Sequence, residues 1–110
     1  MSNNFKSYMT TLSTTNETTL LTATGTSVFI IGSIVICNTG GTTSTINLVV
    51  TDTSAAASFN ILLNESFATA VSTEVLSRPI IVENLDVLKA QAADANFFDI
   101  IVSYIDRDRT

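Results

Sequence analysis

Histidine and tryptophan are absent from this chain, and cysteine and proline occur once each, as Cys37 and Pro79. Hydrolytic triads of the usual kind need a positioned imidazole, so the lack of histidine excludes them. Lysine is the remaining candidate for a base, yet Lys6 and Lys89 fall in an N-terminal arm and on a polar strand face. A metal centre of Cys and His ligands is excluded on the same count. One cysteine forms no intramolecular disulfide, so nothing covalent staples the fold. Cys37 closes an apolar run and is expected as a buried, inert thiol.

Positive charge is scarce. The basic residues are Lys6, Arg78, Lys89, Arg107 and Arg109, scattered against ten acids for a net charge of −5. Phosphate neutralisation needs clustered Lys and Arg, so the charge argues against a dedicated nucleic-acid binder, and no nucleic-acid partner is expected. The most hydrophobic run, residues 28–37, is too short to cross a bilayer as a helix, and no membrane partner is expected. The opening Met-Ser-Asn-Asn-Phe-Lys lacks the basic start and apolar core of a secretory signal, which makes assembly in a cytoplasm the expectation. Acids occur in pairs, Glu83 with Asp86, Asp94 with Asp99 and Asp106 with Asp108. None has the spacing of a calcium loop, and each reads as loop or terminal solvation. With no glycine-rich phosphate cradle either, no catalytic residue, metal or cofactor is expected.

Threonine is what the chain has in abundance, with eighteen residues, followed by twelve serines. Hydrophobic residues make up 45% and charged residues only 14%. Such a composition favours pleated, half-buried strands and takes its solubility from Thr, Ser and Asn. A length of 110 residues suits one domain with its own core. Threonine-rich stretches at 10–26, 39–45 and 51–58 separate apolar runs at the short intervals of an antiparallel all-β domain.

Residues 1–7, polar apart from Phe5, read as a flexible arm. Strands are expected at 8–14 and 18–23, with a turn at Thr24-Gly25-Thr26. Residues 28–38 are apolar at even and odd positions alike, so both faces of that strand should be covered, by the core, another subunit or a packed arm. Gly32 within it marks a bulge or a close backbone approach, and Asn38-Thr39-Gly40-Gly41 forms a turn. Alternation follows, with Ile46, Leu48 and Val50 on one side, then Phe59, Ile61 and Leu63. A weaker strand covers 71–76, and Pro79 opens Ile80-Ile81-Val82, as suits a strand start or an edge. For residues 86–95, Leu, Lys, Ala and Gln favour a helix, while Leu88, Ala90 and Ala92 alternating with Lys89 and Gln91 fit a strand equally well. The strand is adopted, because ten residues make a marginal helix and the neighbours all read β. The last strand spans 97–105, with Phe98, Ile100, Val102 and Tyr104 on one face. About eight strands give an antiparallel β-sandwich or jelly roll over 8–106, flanked by the arm at 1–7 and a tail at 107–110.

The two ends hold the candidate contacts with partners. Phe5, Tyr8, Met9 and Leu12 are placed to dock on a neighbouring subunit; the alternative is a free tip followed by an ordinary edge strand. Arg107 and Arg109, in the alternating run Asp106-Arg107-Asp108-Arg109, belong either to a solvated tail or to an ion-pairing dock. Together with the two-sided apolar strands they give a homo-oligomer as the expectation.

Taken in order, several segments resemble a group of small virion proteins of tailed bacteriophages. They are Leu12-Ser13-Thr14-Thr15-Asn16-Glu17-Thr18 leading to Leu20-Leu21-Thr22, then Ser33-Ile34-Val35-Ile36-Cys37-Asn38-Thr39-Gly40-Gly41, then Ile46-Asn47-Leu48-Val49-Val50-Thr51-Asp52. The C-terminal part matches best, through Arg78-Pro79-Ile80-Ile81-Val82-Glu83-Asn84-Leu85-Asp86-Val87-Leu88-Lys89-Ala90-Gln91-Ala92 and Phe98-Asp99-Ile100-Ile101-Val102-Ser103-Tyr104-Ile105. One departure stands out: the turn before Leu88 usually has Gly, and here it has Asn84-Leu85. Asn tolerates similar backbone angles. The resemblance implies a non-enzymatic structural protein of the virion with a small β-sandwich or jelly-roll fold. Such proteins serve as capsid decoration or cement proteins, or as neck, tail or fibre accessories, in contact with the major capsid protein or the neck and tail proteins. It carries over no active-site residues. A glycan-binding adhesive module is a further alternative, disfavoured by the lack of Trp.

Overall fold

The apolar run of residues 28–38 becomes the central strand of the molecule. A computed structural model describes residues 2–108, which contain nine strands. These are β1 (Ser2–Thr11), β2 (Thr18–Thr22), β3 (Ser27–Asn38), β4 (Ser44–Asp52), β5 (Ala57–Phe67), β6 (Ser72–Glu74), β7 (Ile80–Val82), β8 (Val87–Ala92) and β9 (Phe98–Asp108). One sheet runs β1-β9-β3, with β6 and β7 sharing the far edge of β3; the other runs β2-β8-β4-β5. Every pairing is antiparallel. Packed face to face, the two sheets form a β-sandwich, as the composition and apolar spacing predict.

The core lies between the sheets. Ile31, Ile34 and Ile36 of β3 and Phe98, Ile100 and Val102 of β9 are fully buried, as are Ile46 and Leu48 of β4 and Leu88 of β8. Phe67 and Phe98 meet edge to face at 5.8 Å between ring centroids, an arrangement favoured by the ring quadrupoles. Residues 87–92, helical by propensity, lie between β2 and β4 and pair with both. Sheet partners on two sides outweigh propensities worth tenths of a kcal/mol per residue.

Gly32 explains why β3 is apolar on both faces. The pairing with β9 slips by one residue between Ile31 and Ser33, so Gly32 is the extra residue of a bulge. Before it, Phe29 and Ile31 are buried in the core; after it, Ile34, Ile36 and Asn38 are. On the far edge, β7 pairs with Phe29–Ile31 and β6 with Val35–Cys37, leaving a gap opposite the bulge. The Glu74 carboxylate fills it, accepting the Ile34 N–H at 2.9 Å and the Ser33 hydroxyl. Pro79 precedes β7, where its missing N–H costs no ladder bond.

Several expectations need correction. The arm expected over residues 1–7 is a strand from Ser2 onward, paired residue for residue with β9 as far as Thr11. The tail expected to begin at 107 is still β9 at Arg107 and Asp108; residue 109 lies outside the described residues. Phe59, Ile61 and Leu63 do not share an environment, because β5 shifts register twice against β4. Ile61 and its neighbour Leu62 pack on the core, while Phe59 and Leu63 are exposed. Cys37 is half-buried rather than buried, since the bulge puts it on the outer side of β3. In the turn before β8 it is Leu85, not Asn84, that adopts the left-handed backbone, at φ 71°. The Leu85 N–H donates to Ala23 O at 2.6 Å and its carbonyl accepts from Thr53 Oγ1 at 2.6 Å.

Candidate interaction surface

Among the described residues no group of His, Cys, Asp or Glu is arranged to hold a metal ion. The paired acids of the sequence are spread over separate structural tasks. Asp86 accepts the Thr53 N–H at 3.2 Å, Asp94 the Ser44 hydroxyl at 2.5 Å and Asp99 the Thr11 hydroxyl at 2.5 Å. Asp106 is buried on the inner side of β9, 3.1 Å from Lys6 Nζ. That hydrogen bond, together with the attraction of the carboxylate, raises the Lys6 pKa above its ordinary 10.5. The Glu74 carboxyl is pushed up by partial burial, but the donors from Ser33 and the N–H groups of Ile34, Leu76 and Val75 outweigh this and hold it below 4.5. The Ser54 hydroxyl and the Ala55 N–H likewise lower Asp52 below 3.8.

The outer face of the β1-β9-β3 sheet has a different character. Cross-strand register lays its side chains out in rows. One row is apolar from edge to edge: Phe5, Ile105, Ile30 and Ile81. The next is Ser7, Ser103 and Ser33, and the third is Met9, Ile101 and Val35, ending on Glu74. Phe5 is 85% exposed, Met9 66%, Ile81 58% and Ile101 41%. An apolar groove of about 380 Å³ opens between Phe5, Ile30, Pro79 and Ile105. Scattered exposed apolar residues are ordinary, whereas a contiguous patch marks an interaction site. Among the described residues the chain has two sheets and no third layer over this face.

The sequence-predicted contact residues divide between the two sides of β1. Phe5 and Met9 stand together on the outer face, while Tyr8 turns inward and packs, half-buried, against the core, with Leu12 fully buried beyond it. Tyr8 is therefore an anchor of β1 rather than a free contact. Arg107 is half-buried on the same outer face, opposite Asn3 and Val28, and borders a cleft of about 780 Å³ with Glu83 and Asp86. Arg109 lies outside the described residues. Ile30, Ile81, Ile101 and Ile105 complete the patch and were not singled out as contacts by the sequence. For Ile30, Ile101 and Ile105 the signal was there in the second apolar face of the central and last strands, which a thick core would equally explain; Ile81 lies in the short β7.

Compared with models of known families and with curated proteins, the chain matches none.

Proposed function

We propose that this protein is a non-enzymatic structural component of a bacteriophage virion, a decoration or cement protein bound in many copies to the capsid exterior. The reading rests on the sequence resemblance and is supported by one observation above all: a sheet face with rows of exposed Phe, Met and Ile on a staple-free sandwich. A protein of this kind acts mechanically. Its apolar face covers the junction between neighbouring shell subunits, and rupture of the shell then requires that face to be stripped. A specific junction needs on the order of 1,000 Å² buried, and repetition over the lattice multiplies a modest energy per site.

The test is addition of the purified protein to preformed, undecorated shells. Saturable binding that raises the shell melting temperature is expected, and Phe5→Ser with Met9→Ser should weaken it. Absence of binding would sink the decoration role; a neck, tail or fibre position would then be the remaining virion reading.

A further inference from the structure

Every strand at the margin of an open sheet presents unpaired N–H and C=O groups, and soluble proteins blunt such edges. Three of the margins here are blunted. The β5 strand carries two register shifts and a left-handed Asn64 at φ 49°. The β2 strand is five residues long and shifts register between Thr19 and Leu21. The β6 and β7 strands are three residues each, separated by a segment that holds Pro79. The β1 strand has none of these devices. It runs ten residues without a register shift against β9 and contains neither proline nor acid. Its one charge, Lys6, is directed at the chain's own Asp106.

The hydrogen-bonding phase of β1 is fixed by its end. The Leu12 N–H donates to Phe98 O at 3.0 Å, in continuation of the β1–β9 register. In an antiparallel ladder alternate residues point their groups to alternate sides. The even residues of β1 thus serve β9, and Asn3, Phe5, Ser7, Met9 and Thr11 present N–H and C=O to the free edge.

We infer that β1 pairs with β1 of a second copy of this chain, antiparallel, about a two-fold axis at Ser7. In this register the five edge-facing residues pair among themselves: Ser7 with Ser7, Phe5 with Met9, and Asn3 with Thr11. About ten backbone hydrogen bonds form. The exposed Phe5 ring lies beside a thioether, a favourable contact, and Lys6 falls opposite Tyr8 rather than a second Lys6. Moving the axis by one residue sets Lys6 against Lys6 in one direction and leaves Asn3 without a partner in the other. The outer faces of the two copies join, so that the apolar row through Phe5 continues into the row through Met9 and Ile101. A foreign strand would gain the backbone bonds but not this self-complementary pattern. The inference goes beyond the virion reading, and a monomer in solution would overturn it while leaving that reading untouched.

The test is the oligomeric state of the purified chain together with register-specific cross-linking. Analytical ultracentrifugation at tens of micromolar should give a dimer. In a Cys37→Ala background, Ser7→Cys should close an intermolecular disulfide under mild oxidation, because facing Cα atoms in such a pair are ~5.5 Å apart. Met9→Cys should not, since its own image lies four residues away, at roughly 13 Å. Ser7→Pro removes an N–H that β9 does not use and should yield a folded monomer with unchanged circular dichroism. A monomeric wild type, equal cross-linking at positions 7 and 9, or a folded Ser7→Pro dimer would each overturn the inference.

Discussion

Asn38 is fully buried, and its side chain ties three segments together at the end of the central strand. Its amide nitrogen donates to Phe67 O at 2.9 Å and to Thr42 O at 3.0 Å, and its Oδ1 accepts the Gly40 N–H at 2.9 Å. Asn38→Ala deletes all three bonds. The Phe67 carbonyl, opposite Ser44 in the β4–β5 ladder, loses one buried donor, at about 0.5–1.5 kcal/mol. The other two bonds are partly buried and contribute about 0.5–1.5 kcal/mol each. The expected loss is then roughly 1.5–4.5 kcal/mol, a large fraction of the ~5–15 kcal/mol typical of a domain. Urea unfolding followed by circular dichroism reads it directly, as the chain has no tryptophan. Asn38→Asp keeps the acceptor for Gly40 but turns a carboxylate on two carbonyl oxygens. Its folded form favours the protonated acid, so its stability relative to the wild type should recover as pH falls. A loss below ~1 kcal/mol for Asn38→Ala would refute the assignment of Asn38 as the hub of this corner.

Three further outcomes follow from particular residues. A Cβ on Gly40 would overlap the Phe97 ring at its base, so Gly40→Ala should cost about 1–3 kcal/mol in urea unfolding, the usual range for overpacking. Leu85 holds φ 71° while 55% exposed. Leu85→Asn should therefore leave stability unchanged or raise it by up to ~1 kcal/mol, because Asn tolerates the left-handed region; a clear loss of melting temperature would contradict this. The carboxyls of Glu74 and Asp52 are held below their ordinary 4.5 and 3.8. Their contribution is present above those values and fades as pH falls through the lower folded ones. Glu74→Gln should consequently be less stable at neutral pH and show a shallower stability loss below pH ~4.5, measured by thermal melts across pH 3–7.

The layered all-β architecture was legible because the apolar periodicities here are mostly two-residue and turn residues punctuate them. Gly32 was legible as either a bulge or a close backbone approach, the usual meanings of a lone glycine within an apolar strand, and the register slip against β9 makes it the bulge. The bulges of β5 were hidden: no glycine marks them, and Asn64 takes the left-handed backbone instead. The expected arm proved to be a strand: residues 2–7 look like tail by composition, and only their cross-strand register with β9 makes them part of a sheet. The interaction face was half legible. Phe5 and Met9 were picked out, but Tyr8, one position from Met9, belongs to the opposite side of the same strand. The isoleucines that complete the patch come from three distant segments, β3, β7 and β9, and register alone brings them together.

The proposal that this is a structural protein of a virion is tested most directly by counting its copies in purified particles of any phage that carries its coding sequence. Quantitative mass spectrometry normalised to the major capsid protein gives the number. The decoration reading predicts copies in the hundreds per particle, in a fixed ratio to the shell. A few dozen would move the protein to the neck, tail or fibres, and absence from the particle would contradict the account.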